Sequence, residues 1–415
     1  MLPFLVSWKA LSIMTSMRPV VAGADTHSQT HHIAVLDAAT GGLLADRQFP
    51  ATTAGYREAV AFVAEHGAVV RFGVEGTNSY GAGLARHLRQ EAIEVREVIR
   101  PNRAERRLRG KSDPLDAITA ARVALAQDDL PEPKRADGPV EAIRVLHIVR
   151  GSAVKARASV LRQIKMILVS APAGQREKLA SMRENTLLGT LRRSRPSDAL
   201  DGVEQATAHA LRHLARRHEA LTEEIDEVTD QLRALVHGVA PALLAAKGVG
   251  VVTAAQLLIT AGDNPDRISG EAAFAALCGT SPIPASSGKT NRYRLNRGGD
   301  RQANAALHQI ALVRMSSDQR TKDYVARKTS EGRSTRDAIR SLKRAIAREV
   351  YHLLTNPQPV PQIDDLRPAR LARGLSLQAV ANHFGTWPAR ISDLERGKRR
   401  DDTLAHDYRR WLTAA

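Results

Sequence analysis

Short apolar runs separated by turn residues open the chain, and longer amphipathic repeats follow. Val20-Val21-Ala22-Gly23-Ala24-Asp25 reads as a buried strand and Ile33 to Asp37 as a second. Thr40-Gly41-Gly42 is a turn signal before a third strand, Leu43 to Phe49. A helix is predicted from Thr53 to Glu65, with Thr52 or Thr53 as its cap. Val69 to Glu75 reads as a fourth strand, Gly81 to Gln90 as a helix, Glu94 to Val98 as a fifth strand and Lys111 to Leu125 as a helix.

Three hairpin-linked strands followed by alternating helix and strand is the layout of a ribonuclease-H-like α/β domain, expected over residues 19–130. Pro131-Glu132-Pro133-Lys134 breaks the pattern, and mostly α-helical domains are expected beyond it. Val140 to Leu168 reads as a basic helix, Ala173 to Asp201 as irregular, and Val203 to Val236 as one long polar helix. In that helix Leu211, Leu214, Leu221, Ile225, Val228, Leu232 and Leu235 recur at spacings of three, four and seven. That seam suits either a dimer or an intramolecular helical hairpin within a linker region spanning 140–238. A further helical unit covers 241–355, Asn356 to Pro361 reads as a linker, and a small helical tail spans 362–415. Residues 1–18 lack a clean leader pattern, and the true start is expected at Met14 or Met17, with an unstructured or over-extended stretch before it.

Composition narrows the function classes. Of 415 residues 43% are hydrophobic, enough for real cores, and only 4% are aromatic. The net charge is +17 and the pI about 10.5, a field that serves a polyanionic partner rather than a small-molecule substrate. Cys278 is the single cysteine, which excludes an intrachain disulfide or a cysteine zinc site and fits a reducing, cytoplasmic and nucleoid-associated setting. No apolar run reaches the roughly 18 residues of a membrane span, so no membrane partner is expected.

Asp25 ends the first strand and Glu75 the fourth, and adjacent strands would hold these carboxylates close together. Pro114 suits a helix start with Asp113 as cap, and Asp116, three residues on, faces the same way. Four converging carboxylates repel unless cations neutralise them, which points to Mg²⁺ or Mn²⁺ acting on a phosphodiester. Asp113 as a plain cap and Glu75 as a strand-end surface charge are the alternatives for each residue alone. His27, His31 and His32 are read chiefly as hairpin residues or phosphate contacts, with metal binding the lesser reading.

In the second half Ser286-Ser287-Gly288 sits amid Lys289, Arg292, Arg294, Arg297 and Arg301. The full G-x-x-x-x-G-K-[ST] loop is absent, because position 283 is Ile, so a nucleotide-hydrolysing loop is rejected. A serine among cations either attacks phosphorus or belongs to a loop that grips backbone phosphate. Lys247-Gly248-Val249-Gly250 reads as a helix-hairpin-helix turn or a simple bundle connection.

These motifs together resemble the insertion-sequence one-hundred-and-ten family of transposases, relatives of the Piv DNA invertases. Asp25, Glu75, Asp113 and Asp116 fall in order on its Asp-Glu-Asp-Asp set in a RuvC-like domain. Ser287-Gly288 and Arg297-Gly298-Gly299-Asp300-Arg301 match its serine turn and basic stretch, with one extra Gly. The resemblance covers roughly residues 19–355. It implies a DNA recombinase acting on element ends and target, metal held by the four carboxylates, and Ser287 as nucleophile, with Ser286 adjacent to it. It further implies a structured guide RNA and dimeric to tetrameric assembly with a site composed from two subunits. The tail lies outside the resemblance and is similar to a Cro/repressor-type helix-turn-helix. Ser376 to Phe384 would be its second helix and Trp387 or Pro388 to Arg396 its recognition helix, with Arg390, Ser392, Lys398, Arg399 and Arg400 toward DNA. A helical protein-contact module is the other reading of the tail. Two other functions compete for the whole chain: a metal-dependent junction-resolvase-like nuclease, and a non-catalytic nucleic-acid-binding regulator.

Overall fold

The computed structural model describes residues 17–98, 112–197, 202–288, 293–357, 359–360, 362–397 and 401–414. Met14, Lys289, Arg292, Lys398, Arg399 and Arg400 lie outside the described residues. The architecture is an N-terminal mixed α/β sheet followed by mostly helical regions. Contacts gather the chain into two compact units, one running to Ile148 and taking in Leu258–Ser269, the other Val149–Leu257 with Gly270 onward.

In the first unit β1 (Pro19–Thr26), β2 (Thr30–Asp37), β3 (Leu43–Pro50), β4 (Ala68–Glu75) and β5 (Val95–Val98) form one sheet in the order β3-β2-β1-β4-β5. The hairpins make β1, β2 and β3 antiparallel, while β1 lies parallel to β4 and β4 to β5. Helices α1 (Thr53–Ala64) and α2 (Ala82–Gln90) supply the crossovers that parallel pairing requires. Thr52 caps α1, its side chain accepting from Gly55 N–H. Val20, Ala22 and Ala24 of β1 join Phe72 and Val74 of β4 in a core with Phe62, Leu84 and Leu88. The intervening residues, on the other face by strand alternation, meet α3 (Asp113–Ala126).

That second face explains the position of α3. Ala117, Ala120, Ala121 and Ala124 are buried along it, opposite Gly23 and Gly73. A Cβ on Gly23 would come within 2.1 Å of Ala121 N, and one on Gly73 within 2.8 Å of Ala120 O, so helix and strand backbones touch. Arg71, two residues before Gly73, donates to the Ala124 and Gln127 carbonyls at the end of α3, both at 3.2 Å. A cation suits a helix C-terminus. The helix therefore begins over the strand ends that carry Asp25 and Glu75. Asp113 is not its cap: Ser112 has the extended cap geometry, Asp116 N–H bonds to the Ser112 carbonyl, and Asp113 lies in the first turn.

In the second unit α4 (Pro139–Ser170, from Val149 on) runs beside α7 (Val203–Val239). Arg150 Nε donates to Thr229 Oγ1 at 2.8 Å and Arg157 Nη1 to Thr222 Oγ1 at 3.3 Å. Residues 173–201 are not irregular throughout: α5 (Ala173–Leu179) and α6 (Glu184–Arg193) set Leu179, Leu187 and Leu191 against Ile164 and Leu211. The apolar seam of α7 is thus packed in part from within the chain.

The rest of this unit contains α8 (Pro241–Ala245), α9 (Val251–Ala261, to Leu257 here), α10 (Glu271–Leu277) and a small hairpin of β6 (Ile283–Pro284) with β7 (Tyr293–Arg294). Helices α11 (Arg301–Ser317), α12 (Gln319–Ser330) and α13 (Thr335–Thr355) follow. The tail is α14 (Leu366–Ala372), α15 (Leu377–His383), α16 (Pro388–Glu395) and α17 (Asp402–Ala414) around Val380, Ile391, Leu394 and Tyr408. Among the described residues no helix is long and apolar enough to cross a membrane.

Candidate carboxylate site, serine hairpin and tail

Strand register sets the first site. Ala24 pairs with Val74 across parallel β1 and β4, so the next residues, Asp25 and Glu75, stand at adjacent strand ends. Each lies two residues beyond the glycine that contacts α3, and alternation directs both toward the start of that helix. Both are buried, at 6% exposure. Thr26 Oγ1 donates to the Glu75 carbonyl at 2.9 Å and ties the two strand ends together. Asp113 and Asp116 approach from the first turn of α3.

The electrostatics record this convergence. Burial raises the Asp25 carboxyl above its ordinary value, and Asp116 and Asp113 push the same way, while His27 opposes them. His27 Nε2 lies 3.1 Å from Asp25 Oδ2 and 3.4 Å from Asp113 Oδ1. One ligand atom from each of Asp25, His27 and Asp113 falls within 4.8 Å of the others. A repelling set of oxygen donors with one nitrogen donor fits a divalent cation by its chemistry.

Sequence reasoning underweighted His27. Its signal is its place two residues after Asp25, the spacing that returns a side chain to the same face. The other two histidines go elsewhere. His32 Nε2 bonds Asp46 at 2.6 Å. His31 is 1% exposed and stacks on Tyr56 at 5.6 Å, so it does not face phosphate.

Ser286, Ser287 and Gly288 are exposed and lie between β6 and β7, in the connection of that hairpin. Arg294 is on β7, and Arg297 and Arg301 are exposed on the following turn and at the start of α11. Asn296, Arg297, Gly298, Arg301 and Asn304 line a cleft there. Asp300 caps α11 by accepting from the Gln302 and Ala303 N–H groups. Gly299 has φ +80°, and a Cβ would meet the Leu277 carbonyl at 2.6 Å, so the extra glycine closes a turn against α10. Asn304 Nδ2 donates to the Cys278 and Gly279 carbonyls, and Lys343 Nζ donates to Asn304 Oδ1 at 2.7 Å.

In the tail Ser376 caps α15 and Trp387 precedes α16. Arg390 Nη2 bonds Asp401 at 2.6 Å and is mostly covered, and Ser392 is half-buried. Beneath them Arg370 makes a two-point bond to Glu395, at 2.7 and 3.0 Å, and Tyr408 donates to the same carboxylate at 2.9 Å.

Two family models match the two sites in order. Residues 22–171 match a model described as transposase, and residues 240–326 match the transposase IS116/IS110/IS902 family. Together they cover more than half of the chain. The chain belongs to this transposase family. Among its relatives is an insertion element IS110 uncharacterized 43.6 kDa protein of Streptomyces coelicolor, 31% identical over 146 residues, 35% of each chain. A protein of the same organism described as a candidate transposase of the IS117 mini-circle is 25% identical over 325 residues, 65% of this chain and 78% of that one. An IS900 uncharacterized 42 kDa protein of Mycobacterium paratuberculosis is 28% identical over 144 residues, 34% of this chain and 36% of its own length. The chain thus spans about a third of the length of two of these relatives. The first family match contains Asp25, Glu75, Asp113 and Asp116, and the second contains Ser287 and Arg297 to Arg301.

Proposed function

We propose that this chain is a transposase of an insertion sequence, cutting and rejoining DNA with four carboxylates and a nucleophilic serine. The observation that carries the proposal is the approach of Asp113 to Asp25 beside His27, with Asp116 close enough to raise the Asp25 carboxyl and Glu75 at the neighbouring strand end. The sheet order, with an antiparallel β1–β3 meander and parallel β4 and β5, supports a ribonuclease-H/RuvC-like reading of this unit.

Asp25, Glu75, Asp113 and Asp116 would hold Mg²⁺ or Mn²⁺. When bound, the metal supplies charge that polarises a phosphate oxygen and favours attack at phosphorus. The buried Asp25 and Glu75 would orient the site, and the more exposed Asp113 would meet the DNA side. Ser287 Oγ would form a bond to the scissile phosphorus as a deoxyribose oxygen leaves and takes up a proton. A hydroxyl of the partner strand then displaces Ser287 and completes the joining. Arg294, Arg297 and Arg301, with Lys289 and Arg292 from the same stretch, would balance the charge on that phosphate.

DNA ends and target are the proposed substrates, and a structured guide RNA and a dimer or tetramer follow from the family resemblance. The tail would be a helix-turn-helix that binds DNA on its own account. Its four short helices and the Ser376 cap support that reading. In it Arg390 is engaged with Asp401, and Lys398 and Arg399, which follow α16 in the sequence, would supply charge to phosphate.

The test is a reaction with Mg²⁺, element-end DNA and RNA from the element's flanks, resolved by denaturing electrophoresis. A protein–DNA adduct that disappears in both Ser287→Ala and Asp25→Ala supports the proposal. Free cut DNA without an adduct, unchanged in Ser287→Ala, would leave a metal-only nuclease. Full activity in Asp25→Ala would overturn metal-dependent cutting.

A further inference from the structure

We infer that His27 is itself a ligand of the carboxylate site, and that its nitrogen turns the site toward Mn²⁺ over Mg²⁺. The inference rests on the reading that these acids hold a metal, and it goes beyond that reading by adding a donor outside the four carboxylates. Three observations carry it.

First, one nitrogen meets two carboxylates. Nε2 sits 3.1 Å from Asp25 Oδ2 and 3.4 Å from Asp113 Oδ1. An imidazole nitrogen presents one hydrogen or one lone pair, so it cannot bond well to both oxygens at once. Donor atoms each about 2.1 Å from a common ion, at right angles, lie roughly 3 Å apart. The His27–Asp25 pair is at hydrogen-bond distance, and both separations also leave the three donors close enough to share an ion.

Second, His27 is reachable. Its side chain is 42% exposed and that of Asp113 48%, whereas the buried Asp25 anchors the set from below. A cation entering from solvent meets His27 and Asp113 first.

Third, the neighbouring imidazoles are committed elsewhere. His32 is bonded to Asp46, and His31 is buried against Tyr56 with Nδ1 at the Thr30 carbonyl. Among the described residues this is the one group of three or more His, Cys, Asp or Glu ligands that converges. Mg²⁺ keeps to oxygen donors and water and gives up its waters reluctantly, whereas Mn²⁺ is a first-row transition ion, so one nitrogen among the oxygens penalises Mg²⁺ more than Mn²⁺.

The test uses the full chain and Mn²⁺ itself. Mn²⁺ binding is titrated by electron paramagnetic resonance, with Mg²⁺ affinity taken from competition. Spin-echo modulation of the bound ion reports whether a ¹⁴N nucleus is directly coordinated. The expected result is ¹⁴N coupling in the wild type and none in His27→Ala. Mn²⁺ affinity should fall by more than about 10- to 100-fold, the loss that removing a merely supporting group costs, and Mg²⁺ affinity by much less. His27→Gln, which restores a polar side chain without the imidazole, should behave like His27→Ala. Bound Mn²⁺ without ¹⁴N coupling in the wild type, or equal losses for both ions in His27→Ala, would overturn the inference and leave His27 a counter-ion. Failure of the wild type to bind Mn²⁺, or binding unchanged by Asp25→Ala, would instead overturn the metal reading of the acids.

Discussion

Asp25 carries the sharpest conflict between folding and chemistry. Burial raises its carboxyl, and Asp116 and Asp113 add to the shift. A carboxyl whose folded-state value is raised binds more protons folded than unfolded, so stability falls as pH climbs from the ordinary carboxylate value, 3.8, through the raised one. At neutral pH the ionised group therefore costs stability in metal-free protein. Asp25→Asn should raise the melting temperature without metal, flatten this stretch of the stability–pH curve and lower strand transfer more than about 100-fold. Mn²⁺ or Mg²⁺ should stabilise the wild type and leave Asp25→Asn unmoved, because a ligand stabilises only the state that binds it. Thermal melts across pH, with and without metal, check both; a lower melting point for Asp25→Asn without metal would contradict the account. Ser286 and Ser287 pose a second question of this kind, since both are exposed in the same connection. We expect Ser286→Ala to keep the protein–DNA adduct and Ser287→Ala to lose it, and the reverse would move the nucleophile by one residue.

Between residue and domain stands the element, and here α3 decides the site. Its alanine face rests on Gly23 and Gly73, so its height over the sheet fixes the distance from Asp113 and Asp116 to Asp25. Gly23→Ala places a Cβ against backbone atoms of Ala117 and Ala121, which cannot swing aside as a side chain would. Such overpacking costs about 1–3 kcal/mol, and lifting α3 should also weaken Mn²⁺ binding although no ligand is changed. Denaturant unfolding beside metal titration checks the pair, and unchanged metal affinity would show that α3 does not set the site. The strands and hairpins were legible because apolar alternation and turn residues mark them directly. Asp113 was misread as a cap because Ser112, one residue earlier, takes the extended geometry without a side-chain hydrogen bond. Helices α5 and α6 escaped because Pro172 and Arg183 give no side-chain cap signal, and Leu179, Leu187 and Leu191 gain meaning only against Ile164 and Leu211. In the tail the helices were readable, but the buried pairing of Arg370 with Glu395 under Tyr408 is long-range and was not. Glu395→Ala leaves a buried guanidinium without its carboxylate, a loss of about 3–5 kcal/mol. Hydrogen exchange in the full chain should then show α14–α17 unprotected and the sheet unchanged; retained protection would mean the pair does not hold the tail together.

Over the whole molecule, charge is unevenly shared in a way that would separate the two kinds of DNA contact proposed above. Residues 362–415 hold ten Lys and Arg against seven Asp and Glu, three of the seventeen net positive charges. Residues 289–348, from the serine hairpin through most of α13, hold sixteen against five. Phosphate neutralisation governs salt dependence, whereas a recognition helix contributes by reading base edges. A chain ending at Asn356 should therefore keep most of the slope of log affinity against log salt and lose most of its preference for element-end over unrelated DNA. Arg297→Ala with Arg301→Ala should do the opposite, weakening binding to both DNAs by similar factors and making the slope shallower. Fluorescence titrations at several salt concentrations, on matched specific and unrelated duplexes, separate the two effects. If removing the tail collapsed the salt slope but left the preference intact, the tail would be a phosphate anchor and sequence would be read elsewhere, by the remaining domains or by a paired RNA. If neither quantity moved, α14–α17 would be left as a protein-contact module, with Arg390 and Arg409 held in ion pairs to Asp401 and Asp365 rather than presented to phosphate.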